Sequence, residues 1–303
     1  MSQSRNARPM GVRVRVMLAA AALAAMLGAL SVASPAFATP KGEYAVFADC
    51  PLTTATICIH ASTESGEFIV GKKTVPITKT ITLQGGLNET ETGFVFVGAK
   101  DGNTLTKVPQ NVPGGLSGLV NCTAIKGSGL LEKLERGSCE AIFENGLTGV
   151  SATTELAAPA SSIQISLGAL LGGVGTALQL PVKVHLENPL LGSSCYIGSN
   201  AAPIVLPLTT GTTSPPPPNK PIKGNPGELT FNEEGTILTV LKNSLVNNSY
   251  AAPATNGCGG IFEFLIGPII NSSLGVPSTA GHNTAILNGT LKQAGSEIVK
   301  EHE

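Results

Sequence analysis

The sequence has 303 residues, of which 19 are Lys or Arg, 20 are Asp or Glu and none is Trp. This charge balance gives no basic surface of the kind that binds nucleic acid or anionic lipid. With only three Tyr and nine Phe, the chain also lacks the rings that stack on bases, or on the sugars of carbohydrate-binding modules.

The first 38 residues follow the three-part pattern of a secretory signal peptide. Four arginines come first without an acidic residue, and the uncharged segment 16–32 follows them. Pro35 and the small-x-small triplet Ala36-Phe37-Ala38 precede Thr39, which predicts cleavage between Ala38 and Thr39. The apolar segment is at the short end of the roughly 20 residues that span a bilayer, so a retained anchor is the less favoured interpretation.

Removing residues 1–38 takes away four arginines and leaves 265 residues with 15 basic and 20 acidic side chains, a net charge near −5. There is no twin-arginine pair, no lipid-anchor Cys and no hydrophobic C-terminal tail. We therefore predict a Sec-type exported protein, located outside the cell and without a stable membrane span after cleavage.

All six cysteines lie after the predicted cleavage site, and an even number in an exported chain indicates disulfides. Sequence spacing favours the pairs Cys50–Cys58, Cys122–Cys139 and Cys195–Cys258, although 15 connectivities exist for six cysteines. A zinc site needs cysteines separated by two to four residues, and the closest pair here has seven between. Disulfides are the preferred interpretation.

A two-residue hydrophobic period dominates the chain and predicts half-buried strands. The predicted strands are 44–48, 55–61, 74–83, 94–97, 104–108, 178–186, 204–208, 237–240 and 285–291. Short helices are predicted at 129–137 and at 261–270, the latter ending at Pro268. Turn residues separate the strands at short intervals, so we predict an all-β fold, an antiparallel β-sandwich or barrel-like architecture with minor helices.

Domain organisation has two readings. The segment after Leu156 separates a half with four cysteines from a half with two, which divides the mature chain into β-rich units 39–156 and 157–303. A single domain 39–303 is the alternative. The Pro-rich loop 212–221 favours polyproline II, and a Cys195–Cys258 bridge would make it an excursion within a domain.

Three segments carry a resemblance. They are FADCP at 47–51, LPVKVHLENP at 180–189 with CYIG at 195–198, and AGHNTAILNG at 280–289. Together they are similar to a group of uncharacterised secreted proteins of high-G+C Gram-positive bacteria. The resemblance implies export and supplies no activity, no cofactor and no functional residue.

Catalytic patterns are weak. The nearest approach to a nucleophile elbow is Ser117, where the first Gly is one place early and no helical segment is predicted to follow. Glycoside hydrolysis needs two facing carboxylates, and the candidates are Glu140, Glu144, Glu187 and Glu263. Strand glutamates usually face solvent, so the sequence predicts no catalytic residue and no cofactor.

Metal binding is also weakly supported. His185 and Glu187 lie two apart on a predicted strand and share a face, and His60 or His282 could complete a site. Four His in the whole chain is little material, and solvent-exposed or hydrogen-bonded His is favoured. We predict no metal site.

The longest charge-free interval runs from 156 to 182, with a Gly-rich apolar centre at 167–175. We predict buried strands joined by a Gly-rich loop there, in preference to a transmembrane helix. Small residues near a core can also leave room for an apolar ligand, which makes 167–180 a candidate lining.

By elimination, the sequence predicts a non-enzymatic binding or structural protein of the extracellular space or cell envelope. The alternatives are a carrier of lipid or another apolar ligand, and a secreted hydrolase. The sequence identifies no partner.

Overall fold

The computed structural model describes residues 39–91, 93–119, 129–143 and 149–303, and of these the side chains of 117, 119, 135 and 138–143 are not described. The predicted signal peptide, Ala38 and Cys122 lie outside the described residues. The strands are β1 (Ile57–Val70), β2 (Lys73–Ile77), β3 (Ile81–Thr90), β4 (Gly93–Gly98), β5 (Gln110–Asn111), β6 (Ser151–Leu156), β7 (Gln164–Ile165), β8 (Leu178–Glu187), β9 (Tyr196–Ile197), β10 (Ile204–Leu208), β11 (Glu228–Phe231), β12 (Ile237–Asn247), β13 (Thr255–Asn256) and β14 (Thr284–Gly295).

The helices are short and few among the described residues. They are α1 (Gly115–Leu119), α2 (Leu130–Phe143), α3 (Leu167–Gly172), α4 (Glu263–Leu274) and α5 (Ser296–Glu301). Short 3₁₀ segments lie at Gly42–Phe47, Ala160–Ser162 and Gly260–Phe262. None of the helices in the described part of the chain combines the length and the apolarity that a bilayer crossing requires.

The strands form two antiparallel sheets. Sheet A has the order β11-β12-β14-β1-β3-β4, with β2 also paired to β1, and sheet B has the order β13-β9-β8-β6-β5, with β7 and β10 also paired to β8. Apolar side chains of both sheets meet in one core, for example Leu87 and Phe96 of sheet A with Leu206 and Leu208 of sheet B. The predicted antiparallel all-β fold is confirmed, in its sandwich form.

Residues Pro40–Glu303 make up one compact unit. Leu156 is the last residue of β6, which pairs with β8 across the position where the sequence divides into 39–156 and 157–303. Sheet A likewise joins the two segments, because β1 pairs with β14 from Ile57↔Gly295 to Ile69↔Thr284.

Two disulfides lie in the described residues, and both follow the predicted spacing. Cys50–Cys58 joins the chain after the first 3₁₀ segment to the second residue of β1. It belongs to a second, smaller apolar cluster in which Tyr44 and Phe47 pack with Val299 of α5. Cys195–Cys258 joins the residue before β9 to the loop that leads into α4. The predicted Cys122–Cys139 pair lies outside the described side chains.

Several predicted strand boundaries are wrong for identifiable reasons. The segment 44–48 is a 3₁₀ turn, because Tyr44 and Phe47 are three residues apart and both turn into the second apolar cluster. The predicted strand 74–83 ends too early, because β3 continues through Gly85 and Gly86 to Thr90. A Cβ at Gly85 would lie 2.4 Å from the Val97 carbonyl oxygen, so this glycine permits close approach to β4.

The charge-free segment 167–175 is also different from the prediction. Ser166 caps a helix by accepting a hydrogen bond from the Ala169 amide, and Gly173 ends it in the left-handed conformation. A Gly-rich loop between buried strands was predicted there, and α3 takes the place of the loop. The predicted strand 104–108 pairs only at the single bridge Leu83↔Leu105, while β10 begins and ends at the predicted residues.

The Pro-rich loop 212–221 is held against the body of the protein. The side-chain amide of Asn219 donates hydrogen bonds to the carbonyl oxygens of Asn248 (3.0 Å) and Asn283 (2.9 Å). The side-chain amide of Asn248 in turn donates to the Lys220 carbonyl oxygen at 2.8 Å. These bonds satisfy buried polar groups next to the loop, so the loop is an ordered part of the fold.

Candidate functional site

Two features of the described surface border the loop between β8 and β9. One is a group of charged and aromatic side chains on sheet B. The other is an exposed apolar segment at the start of α4. The sequence pointed to part of the first and missed the second.

The first feature is the His185 cluster, composed of Lys107, Glu155, Lys183, His185, Glu187 and Tyr196. Lys183, His185 and Glu187 alternate along β8 and therefore share a face. The strand register brings Glu155 of β6 opposite Lys183, and Tyr196 of β9 opposite His185. The predicted common face of His185 and Glu187 is thus present.

Carboxylates surround the His185 ring on one side. The Nδ1 atom lies 3.5 Å from a Glu187 oxygen and 4.0 Å from a Glu155 oxygen. We therefore assign the ring hydrogen to Nδ1, which faces both acceptors. The Nε2 atom is buried and has no hydrogen-bond partner within the described residues.

The remaining members of the cluster pair with one another. Glu155 lies 3.8 Å from the ammonium groups of both Lys107 and Lys183. The Tyr196 ring stacks on His185, with centroids 4.5 Å apart, and the Lys183 ammonium sits 4.7 Å from the Tyr196 ring centroid. Burial, and then the charges of Glu155 and Glu187, raise the pKa of Tyr196 above its ordinary value.

The chemistry of this cluster is that of a paired charge network. Glu187 also accepts a hydrogen bond from the Ser151 hydroxyl at 2.8 Å, so this serine is bound to the carboxylate and not to the imidazole. Both carboxylates lie within 4.0 Å of the same imidazole, so each already has a partner within the chain. An open depression of about 470 Å³ lies at the edge of the cluster, next to Asn188, Pro189 and Gly192.

The sequence-based hydrolase candidates are not assembled into a site by the described residues. Ser117 belongs to α1, a short helix that was not predicted, and its side chain lies outside the described part. The side chains of Glu140 and Glu144 also lie outside the described part. Glu263 lies at the start of α4, where it accepts a hydrogen bond from the Gly257 amide at 2.6 Å.

The three histidines considered for a metal site lie apart in the fold. His60 is on β1 of sheet A, His185 is on β8 of sheet B, and His282 lies in the loop before β14 with its Nδ1 3.3 Å from the Thr279 hydroxyl. Across the described ranges, no group of three or more His, Cys, Asp and Glu side chains could hold a metal ion.

The predicted apolar lining does border a cavity. Ile165, Leu170, Leu178 and Leu180 face a space of about 70 Å³ between the two sheets. Sites for small ligands usually have about 300–1,000 Å³. A lipid chain would therefore have to separate the sheets, and this cavity gives the carrier interpretation little support.

The second feature is the apolar tip, defined as residues Gly259–Leu265. Its large side chains are strongly exposed, with Ile261 at 85%, Phe262 at 54%, Phe264 at 72% and Leu265 at 43%. The opposite side of the same helix packs into the core through Ile270 and Leu274. A helix that is apolar on all sides is normally buried. The outer face of α4 is instead exposed at its start.

The tip is firmly attached to the body of the protein. The Cys195–Cys258 disulfide is fully buried at its base, and the Gly259 amide donates a 2.7 Å hydrogen bond to the Leu191 carbonyl. Gly257 has a φ of +69°, and a Cβ there would lie 2.1 Å from the Ser194 carbonyl oxygen. The tip is thus a fixed projection and not a loose loop.

The predicted helix 261–270 is confirmed in kind, but its bounds are wrong. α4 begins at Glu263 and continues through Pro268 to Leu274. The signal that could have identified the tip is a charge pattern: between Lys242 and Lys292, Glu263 is the only Asp, Glu, Lys or Arg in the sequence. This pattern marks the segment as apolar, but it does not distinguish a buried helix start from an exposed one.

Comparison with known proteins supplies no further identification. No family model matches the chain, and no curated protein and no solved structure matches it. The resemblance to secreted proteins of high-G+C Gram-positive bacteria therefore stays a prediction, and the argument for function depends on the two surface features.

Proposed function

We propose that this chain is a secreted, non-enzymatic binding protein of the extracellular space or cell envelope, and that it binds through the apolar tip. The single observation that carries the proposal is the exposure of Ile261, Phe262 and Phe264 on a rigid projection. Apolar surface in water is unfavourable by about 25 cal/mol per Å², so a stable, exposed group of this kind favours association.

The proposed extracellular location has separate support. The sequence pattern of residues 1–38 favours export, and the two disulfides Cys50–Cys58 and Cys195–Cys258 fit an oxidising compartment. Disulfides of this kind are rare in the reducing cytosol of mesophilic cells.

The enzyme alternative has less support. The described carboxylates of the His185 cluster are occupied by His185, Lys183 and Ser151, and the charges neutralise one another. A catalytic base needs a substrate proton within reach and a nucleophile or acid beside it. The His185 cluster fits better as a structural network on the surface of sheet B.

Fractionation of the producing cells tests the proposal. We expect the wild-type protein outside the cytosol, cleaved after Ala38, with a fraction that is retained on the cell envelope. The double variant Phe262→Ser/Phe264→Ser should move this fraction into the medium, whereas the control Phe231→Ser, at an exposed ring on β11, should leave it in place. An uncleaved protein with free thiols in the cytosol would contradict the address, and equal retention of both variants would contradict the role of the tip.

A further inference from the structure

The apolar tip is exposed to solvent along most of its length. Five consecutive residues, from Ile261 to Leu265, are exposed, so both sides of the chain face solvent. Exposure continues along the same side of α4 at Pro268 and Ser272, one and two turns further on. A surface exposed on both sides needs a partner that can surround it. A lipid phase is fluid and can do so without a matching pocket.

The charge around the tip is low. Glu263 is the one carboxylate, and its Oε1 accepts the Gly257 amide hydrogen at the amino end of α4, where the helix dipole favours a negative charge. An ionised group is expensive at the centre of a bilayer but is tolerated at headgroup depth. The position of Glu263 between the two phenylalanines therefore points to shallow insertion.

The exposed area of the tip is small for a protein partner. Its four large side chains expose on the order of 500 Å², since a large aromatic side chain offers about 150–250 Å². A stable dimer buries about 800 Å² on each partner. A second copy of the chain docking through the tip alone would fall short of that area, whereas insertion into lipid has no such minimum.

From these observations we infer that the apolar tip inserts into a lipid interface, with Ile261, Phe262, Phe264 and Leu265 at the boundary between headgroups and acyl chains. The inference rests on the proposed function and specifies its partner. The sequence has no Lys or Arg between Lys242 and Lys292. The Lys72 ammonium, which contacts α4, is bound to the Ser272 carbonyl oxygen at the far end of the helix from the tip. Apolar burial therefore drives the interaction, and anionic headgroups are not required. The interaction should also be insensitive to salt.

The absence of tryptophan provides a direct test, because a single introduced Trp is the only indole in the protein. Phe264→Trp places the fluorophore on the tip, and Phe231→Trp places it on the exposed edge strand β11 as a matched control. We expect phosphatidylcholine vesicles to blue-shift the emission of the disulfide-bonded Phe264→Trp protein and to leave that of Phe231→Trp unchanged. Adding phosphatidylglycerol or salt should change neither result.

Affinity provides the second measurement. In vesicle co-sedimentation, Phe262→Ser/Phe264→Ser should bind phosphatidylcholine vesicles about a hundredfold more weakly than the wild type, about tenfold for each phenylalanine. Circular dichroism and intact disulfides would show that the variant is folded. Phe231→Ser should bind like the wild type.

Four results would overturn the lipid inference. Equal shifts of the two Trp variants, or equal vesicle binding by the folded double Ser variant, would show that the tip does not insert. A concentration-dependent dimer that the double Ser variant abolishes would make a second copy the partner. If the tip variant leaves the cell envelope while the wild type ignores lipid vesicles, the lipid inference fails and the proposed function stands.

Discussion

The His185 cluster and the apolar tip border the same loop, but they differ in whether their side chains have partners within the chain. In the cluster, charged side chains find partners inside the chain, with Glu155 contacting Lys107, Lys183 and His185 within 4.0 Å. In the tip, Phe262 and Phe264 have large exposed surfaces that nothing in the described chain covers. Apart from the buried His185 Nε2, the charged groups of the cluster have partners within the fold, whereas the apolar side chains of the tip are uncovered.

This difference separates a structural role from a functional one. Charged groups on a sheet surface are often taken as a candidate site, but here most of their hydrogen-bonding and Coulomb interactions are already used. Exposed apolar side chains on a disulfide-anchored projection have no such internal use. Substitutions in the cluster should therefore reduce stability, and substitutions in the tip should reduce binding.

The largest effect should come from removing the anchor of the tip. Cys195→Ser/Cys258→Ser removes the disulfide that joins residues 63 positions apart in sequence. In the chain-entropy model this should lower the free energy of unfolding by about 4 kcal/mol. Cys50→Ser/Cys58→Ser, with a separation of 8 residues, should lower it by about 2.5 kcal/mol. Urea unfolding of both variants measures the two losses in free energy of unfolding. Equal losses would contradict the expectation that the bridge closing the longer loop stabilises the protein more.

The next effect tests the completeness of the His185 cluster. Glu155→Gln removes the charge shared by two lysines and His185. It should lower the free energy of unfolding by about 1–3 kcal/mol, because Lys183 and His185 stay largely buried without it. Glu228→Gln, which breaks the exposed pair with Lys242, is the control and should change it by less than about 1 kcal/mol. Vesicle binding by Glu155→Gln should match the wild type; a large loss would link the cluster to the tip.

The tip itself should contribute little to stability. Phe264→Ser should change the free energy of unfolding by no more than about 0.5 kcal/mol, since the ring is 72% exposed. Chemical denaturation of the variant checks this. A loss of several kcal/mol would mean that the ring is packed in solution, and the contrast between tip and cluster would disappear.

The smallest effect concerns pH and sheet A. Burial, followed by the positive charge of Lys292, lowers the pKa of His60 below its ordinary 6.5, while Asp49 opposes the shift. The unfolded chain therefore binds the proton first on acidification, and stability should fall as the pH drops below 6.5 towards the folded-state pKa. His60→Gln should flatten this part of the profile, which urea midpoints measured between neutral and mildly acidic pH can detect.

Much of the fold was predictable because its causes are local. Alternating apolar residues gave β10 at its observed bounds and placed β4, β8 and the centre of β14 correctly. The spacing of Cys50–Cys58 and Cys195–Cys258 gave both described disulfides. The common face of His185 and Glu187 followed from strand geometry alone.

What failed depended on neighbours that are distant in sequence. The predicted strand 74–83 stopped before the Gly85–Gly86 pair. The close approach of Val97 to Gly85 and of Ala55 to Gly86 shows that these glycines allow neighbouring segments to pack tightly against β3. The segment 167–172 is a helix because Leu170 turns into the core between the sheets, and the adjacent Ser166 only caps its start.

The sequence by itself determined the strand periodicity, the disulfide spacing and the predicted route out of the cytosol, since each is written in residues near one another in the chain. The tertiary structure decided which surface is left uncovered. Ile261 to Leu265 read as an ordinary apolar helix start, and exposure depends on which side of α4 the core has already covered with Ile270 and Leu274. No local pattern encodes that choice, because it is set when the two sheets pack together.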